Sequence, residues 1–113
     1  MRIEIKGRKV AVSDDLRKRV EKRFEKIAKQ VSPLAELEVE LSEDRNPRVA
    51  ESQVAEATLH LKGTSLRSTK AAANMVTAIN ACADDLGRQV KRLKAKRSHR
   101  RDAPPQVATD AAL

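Results

Sequence analysis

Residues 87–101, GRQVKRLKAKRSHRR, hold eight Lys or Arg and no acid. A second basic set, Lys22, Arg23, Lys26 and Lys29, recurs at helical spacing earlier in the chain. Clustered cations of this kind neutralise phosphates, and each phosphate neutralised releases condensed counterions. The other reactive side chains are few. His60 lies on a predicted strand face beside Glu56 and Lys62, and no nucleophile, base and orienting group recur together around it. His99 falls in the basic run and reads as solvated, and Cys82 reads as a small packing residue. One cysteine and two distant histidines have no metal-ligand spacing, so neither a metal site nor an enzyme is expected.

These cations must be positioned by a small framework. At 113 residues the chain suits one domain with a modest core. Phe24 is its one aromatic residue, so that core is aliphatic. The net charge of +8, with a pI near 10.1, points to a nucleic acid or another polyanion. The charge is segregated: residues 1–33 carry +6, residues 34–65 carry −4 and residues 66–113 carry +6. A single cysteine fits a reducing compartment. No apolar run approaches a membrane span and the start has no signal-peptide core, so a soluble, cytoplasmic protein is expected.

The opening MRIEIKG alternates, with Ile3 and Ile5 on one face, and predicts a half-buried strand stopped or bulged at Gly7. Ser13 is a helix N-cap candidate before Asp14 and Asp15. Leu16, Val20, Phe24, Ile27 and Val31 then form one apolar stripe of a helix ending near Ser32–Pro33. ELEVELSED and VAEATLHLKG alternate again, Gly63 marks a tight turn, and SLRSTKA pairs back as a fourth strand. A long helix carries Val76, Ile79, Ala83, Leu86, Val90 and Leu93 inward. The last residues, 102–113, read as a disordered tail or the start of a linker, leaving 1–101 as the domain. The order β-α-β-β-β-α predicts an α+β, two-layer fold: a four-stranded mixed sheet with two helices on one face.

On the first helix, Lys18, Lys22 and Lys29 fall opposite the apolar stripe, and Arg19, Arg23 and Lys26 fill one flank. Glu21 and Glu25 take the other flank. On the second, Lys94 and Arg97 stand where the apolar stripe would continue, so Leu93 should be the last core contact. Arg88, Lys91, Arg92 and Lys96 surround the turns beyond it. Residues 88–97 then form a helical extension, and residues 98–101 a frayed cationic end. Cations favour a helix C-terminus by roughly 0.3–1 kcal/mol each, which does not account for eight mutually repelling ones. Two helices side by side merge into one basic plateau, while Glu36, Glu38, Glu40 and Glu56 line the opposite sheet face. That sheet face has no aromatic stacking platform, and no Gly-rich phosphate loop or GxxG clamp occurs.

Three segments in this order resemble one family. IEIKGRKVAVSDDLRKRVEKRFEKIAK, VAEATLHLKG and NMVTAINACADDLGRQVKRLKAK look like elements of the ribosome hibernation promoting factor and ribosome-associated inhibitor A family, over residues 1–97. The resemblance implies a bacterial stationary-phase or stress factor that binds the small ribosomal subunit and the 70S ribosome. It would occupy 16S rRNA in the decoding channel, block mRNA and tRNA, and hold the ribosome inactive. Matched position by position, Arg23, Lys26, Lys29, Arg88, Arg92, Lys94 and Lys96 become rRNA-binding residues. Lys22, Lys91 and Arg97 join them as cations on the same surface. No cofactor, small-molecule substrate or membrane is implied, and a monomer is expected, either a short form or the N-terminal domain of a long one. The chain departs from the family pattern at Asn74 and Val76, where an acid and Tyr are usual. It departs again at Gly87, which costs a helix about 1 kcal/mol relative to Ala. A generic double-stranded RNA-binding module, a domain for an acidic protein partner and a small hydrolase are the competing readings.

Overall fold

A computed structural model describes residues 1–44 and 50–102, with side chains through Lys96. Its elements are β1 (Arg2–Arg8), α1 (Asp14–Arg23), α2 (Glu25–Ala28), β2 (Glu36–Glu43), β3 (Gln53–Leu61), β4 (Thr64–Ala72) and α3 (Met75–Asp102). The sheet order is β1-β2-β3-β4. Because a helix intervenes, β1 runs parallel to β2, whereas β2–β3 and β3–β4 are antiparallel. This is the α+β mixed-sheet architecture that the alternating and helical periods predict.

Alternation sorts the sheet. Leu37, Val39 and Leu41 of β2, and Ala55, Ala57 and Leu59 of β3, are buried on one face beneath the helices. Val20, Phe24 and Ile27 from α1 and α2 join the same core, with Ala78, Ile79, Cys82, Leu86 and Val90 from α3. Small residues at the sheet centre let α3 approach β3 and β4 closely. The Cys82 thiol donates to the Ser68 carbonyl at 3.4 Å, and burial pushes its pKa to about 11. It is an inert core group at neutral pH.

Local chemistry sets the boundaries. Ser13 caps α1, its Oγ accepting from the Leu16 N–H at 3.2 Å. Gly63 adopts φ 81° in the two-residue turn between Leu61 and Thr64. Gly7 does not end β1, which continues through Arg8. Its role is close approach: a Cβ there would lie 2.1 Å from the Val10 carbonyl oxygen, where the chain folds back after Lys9 at φ 62°.

Three expectations need correction. The first helix is divided at Phe24, whose backbone sits at φ −91°, ψ 0°, and regular helix ends at Ala28, not Ser32. The fully buried Phe24 ring anchors that joint. In α3, Met75 takes the core position expected of Val76, which is only half-buried. Residues 98–101, expected as a frayed end, are helical, since α3 runs to Asp102. The expected tail lies outside the described residues, as do the side chains of Arg97 and His99.

Candidate nucleic-acid interface

The candidate site is where α1, α2 and α3 come together on the side of the helical layer away from the sheet. Val20, Phe24 and Ile27 point into the core, which leaves Lys22, Arg23, Lys26 and Lys29 outward and exposed. On α3, Cys82, Leu86 and Val90 point inward, which turns Arg88 and Lys91 towards the same side. The two sets line one groove of about 540 Å³, with Glu25, Gln30, Asp84 and Gly87 among its other walls. Six of the ten sequence-predicted cations are therefore gathered in one place: Lys22, Arg23, Lys26, Lys29, Arg88 and Lys91.

Arg92, Lys94 and Lys96 are exposed but do not line the groove. They belong to the part of α3 that leaves the core. Val90 is the last buried residue among the described side chains, Leu93 is half-buried, and the helix continues to Asp102. Twelve residues at 1.5 Å per residue make that extension about 18 Å long. It prolongs the cationic line away from the groove along one helix axis.

Acids tune the groove in a way that the helix-wheel reading missed. Arg23 Nη2 donates to Asp84 Oδ1 at 3.2 Å, tying α1 to α3. Glu25, placed by the wheel on the far flank, instead lines the groove and faces Lys29 at 3.9 Å, because the break at Phe24 resets the helical phase. Arg88 lies 3.6 Å from Asp85. Asp85 is held below the ordinary carboxylate range, first by the Ser68 hydroxyl, then by the Gln89 amide and the Lys70 and Arg88 charges, against the opposing effect of burial. Ser68 Oγ approaches without closing a full hydrogen bond, whereas Gln89 Nε2 donates to Asp85 at 3.1 Å. No sequence spacing announces the Arg23–Asp84 pair, whose members are 61 residues apart.

The opposite sheet face is mixed. Arg2, Lys6 and Arg67 share it with Glu4, Glu36, Glu38, Glu40 and Glu56, and the register sets Arg2 beside Glu36 and Lys6 beside Glu40, but also Glu4 beside Glu38 and Glu40 beside Glu56. Here the expectation that no acid, base and hydroxyl recur together needs correction. His60 Nε2 meets Glu38 at 2.8 Å and its Nδ1 meets Ser65 at 3.3 Å, rather than Glu56 or Lys62. The β3–β4 hairpin register, readable from the two-residue turn, is the signal that pairs His60 with Ser65. All three residues are exposed on a flat sheet surface. Water reaches the hydroxyl freely there, unlike the desolvated setting in which a nucleophile is activated. Among the described residues, no group of His, Cys, Asp or Glu can hold a metal ion. No described helix is long and apolar enough to cross a membrane.

Comparisons with known proteins agree with this architecture. The chain is 30% identical over 97 residues to the ribosome hibernation promotion factor of Picosynechococcus sp. (strain ATCC 27264 / PCC 7002 / PR-6), covering 85% of this chain and 50% of that protein. It thus spans about half the length of that curated relative. The crystal structure of the Thermus thermophilus Protein Y N-terminal domain superposes with a TM-score of 0.72 at 28% identity, covering 82% of this chain and 99% of that one. A ribosomal subunit interface protein from Coxiella burnetii shares the fold, with a TM-score of 0.70 at 18% identity over 84% of this chain and 99% of that one. The model of the Sigma 54 modulation protein / S30EA ribosomal protein family matches residues 3–98. With the fold, the three sequence segments and this match in agreement, the chain belongs to that family.

Proposed function

We propose that this chain is a non-catalytic ribosome hibernation factor of the bacterial cytoplasm. In this reading, residues 1–101 bind 16S rRNA in the decoding channel of the small subunit. Occupancy excludes mRNA and tRNA and holds the ribosome inactive in stationary phase or stress. The observation that carries the reading is the groove between α1–α2 and α3, lined by Lys22, Arg23, Lys26, Lys29, Arg88 and Lys91, in a chain of this family. The names of its relatives, a hibernation promotion factor and a ribosomal subunit interface protein, support the same partner.

The mechanism is electrostatic and steric. A rigid cationic groove prolonged by the α3 extension meets a folded polyanion along a line, and Arg92, Lys94 and Lys96 lengthen that line. Phosphate contacts of this kind fix orientation without reading sequence. Specificity for one place on the ribosome then comes from the shape of the rRNA channel. Inhibition needs no chemistry, only residence where mRNA and tRNA must pass, so a monomer without cofactor suffices.

Sedimentation with purified bacterial small subunits tests this across a salt series, with and without mRNA and initiator tRNA. Saturable binding of one copy that weakens with salt and competes with tRNA is the expected result. Equal affinity for bulk duplex RNA would favour a generic double-stranded RNA module. Absence of RNA binding at low salt would overturn both readings.

A further inference from the structure

The groove holds more positive charge than one RNA strand passing through it can match. Six cations against two acids line it, which leaves a net +4. Glu25 faces Lys29 and Asp84 holds Arg23. The excess therefore rests on Lys22 and Lys26 of one wall and on Arg88 and Lys91 of the other. Of these four, Arg88 also lies 3.6 Å from Asp85, which stands outside the groove.

The shape is a crease with a floor. Ile27 and Ala83 are 2% and 5% exposed and close its bottom with aliphatic surface. Packed helices lie about 8–10 Å apart axis to axis, so the crease between them admits a single chain of phosphates and not a duplex. One RNA strand brings a single charge per nucleotide. An oligophosphate is denser: its terminal phosphate carries about −1.5 to −2, and a chain of three brings roughly −4. That charge matches the excess on the walls. The volume of about 540 Å³ also falls within the roughly 300–1,000 Å³ of small-ligand clefts.

We infer that the groove is also the site of a soluble oligophosphate, free or carried on a nucleoside, which competes with rRNA for the same cations. This inference rests on the proposed function and adds a regulator to it. The phosphate chain lies between Lys22 and Lys26 on one side and Arg88 and Lys91 on the other, and a nucleoside base rests on the aliphatic floor. Lys94 and Lys96 do not line the groove, so a filled groove leaves the protein only the α3 extension with which to hold RNA. Abundant oligophosphate then keeps the protein off the ribosome, and its depletion frees the groove for rRNA.

Calorimetric titration of the full chain with inorganic tripolyphosphate and with a nucleoside triphosphate tests this, beside sedimentation with purified bacterial small subunits at constant free magnesium. Saturable one-to-one binding is expected, and saturation should weaken subunit binding about fivefold or more. Equal affinities assign recognition to the phosphate chain, a tighter nucleotide adds the base on the floor, and tighter tripolyphosphate points to the inorganic source. Lys26→Glu/Lys91→Glu takes one cation from each wall and should weaken oligophosphate binding about 10-fold or more. Lys94→Glu/Lys96→Glu makes the same change in charge outside the groove and should leave oligophosphate binding within about twofold. All four side chains are exposed, so both variants should melt near the parent. Equal losses from the two variants, or oligophosphate binding without competition, would overturn the inference. Subunit binding by a parent chain that takes neither oligophosphate would also overturn it, and would leave the proposed function standing. A parent chain that does not bind subunits at low salt overturns the proposed function itself.

Discussion

The two faces of this molecule carry charge in opposite ways. On the sheet's outer face, carboxylates and cations are mixed: Arg2 stands beside Glu36, Lys6 beside Glu40, Arg67 at 3.7 Å from Glu56 and His60 on Glu38, while Glu4 faces Glu38 and Glu40 faces Glu56. Cross-strand pairs of opposite charge suit a surface that faces water. On the helical face, cations outnumber acids in the groove, and the acids lining it, Asp84 and Glu25, each stand beside one arginine or lysine. Lys22, Lys26 and Lys91 exceed what those acids can balance. A surface that only needed solubility would resemble the sheet; a surface with unbalanced like charge held on rigid helices is built for a polyanion.

The largest expected effect breaks the scaffold beneath the groove. Phe24→Ala removes the ring, fully buried, that anchors the α1–α2 joint, and should cost about 3–5 kcal/mol of unfolding free energy in urea titrations. A loss under 1 kcal/mol would mean that the joint does not hold the groove.

A smaller effect sharpens the contrast from within the groove. Asp84→Asn keeps the shape but frees Arg23 from its 3.2 Å partner. Binding to small subunits should tighten about threefold with a steeper salt dependence. Tm should barely move, because an exposed pair of this kind contributes about 0–1 kcal/mol. Weaker binding would show instead that Asp84 positions Arg23.

The smallest effect concerns acid stability. The folded state depresses the Asp85 pKa below its ordinary 3.8, so its contribution is present above that value and is lost as pH falls through the folded pKa. Asp85→Asn should flatten the decline of Tm below about pH 4. An unchanged acid limb would show that Asp85 does not set it.

Much of this was legible in the residues. Alternation in ELEVELSED and VAEATLHLKG defines strands and their buried faces, and Ser13 and Gly63 mark a cap and a turn that the structure contains. The break at Phe24 was hidden because the stripe from Leu16 to Val31 keeps helical spacing across it. Met75 and Val76 are both compatible with the α3 stripe, and packing decides between them. The basic residues and their merging on one helical face were expected, but the groove between the helices was not. That depends on the contact between α1 and α3, which brings Arg23 to Asp84, and on Gly87 lying in the space between. Sequence periodicity reports which face an element buries, not which elements lie side by side.

The central claim is that location, not net charge, makes the helical face the binding surface. Two double reversals with the same change in charge test it directly: Arg88→Glu/Arg92→Glu on α3, and Lys6→Glu/Arg67→Glu on the sheet. Binding of each to small subunits is measured at fixed salt beside its thermal melt. The account predicts about 100-fold or greater loss for the helical pair. The sheet pair should stay within about fivefold of the parent, as a change in overall charge alone would allow. Equal losses, or a larger loss from the sheet pair, would contradict it.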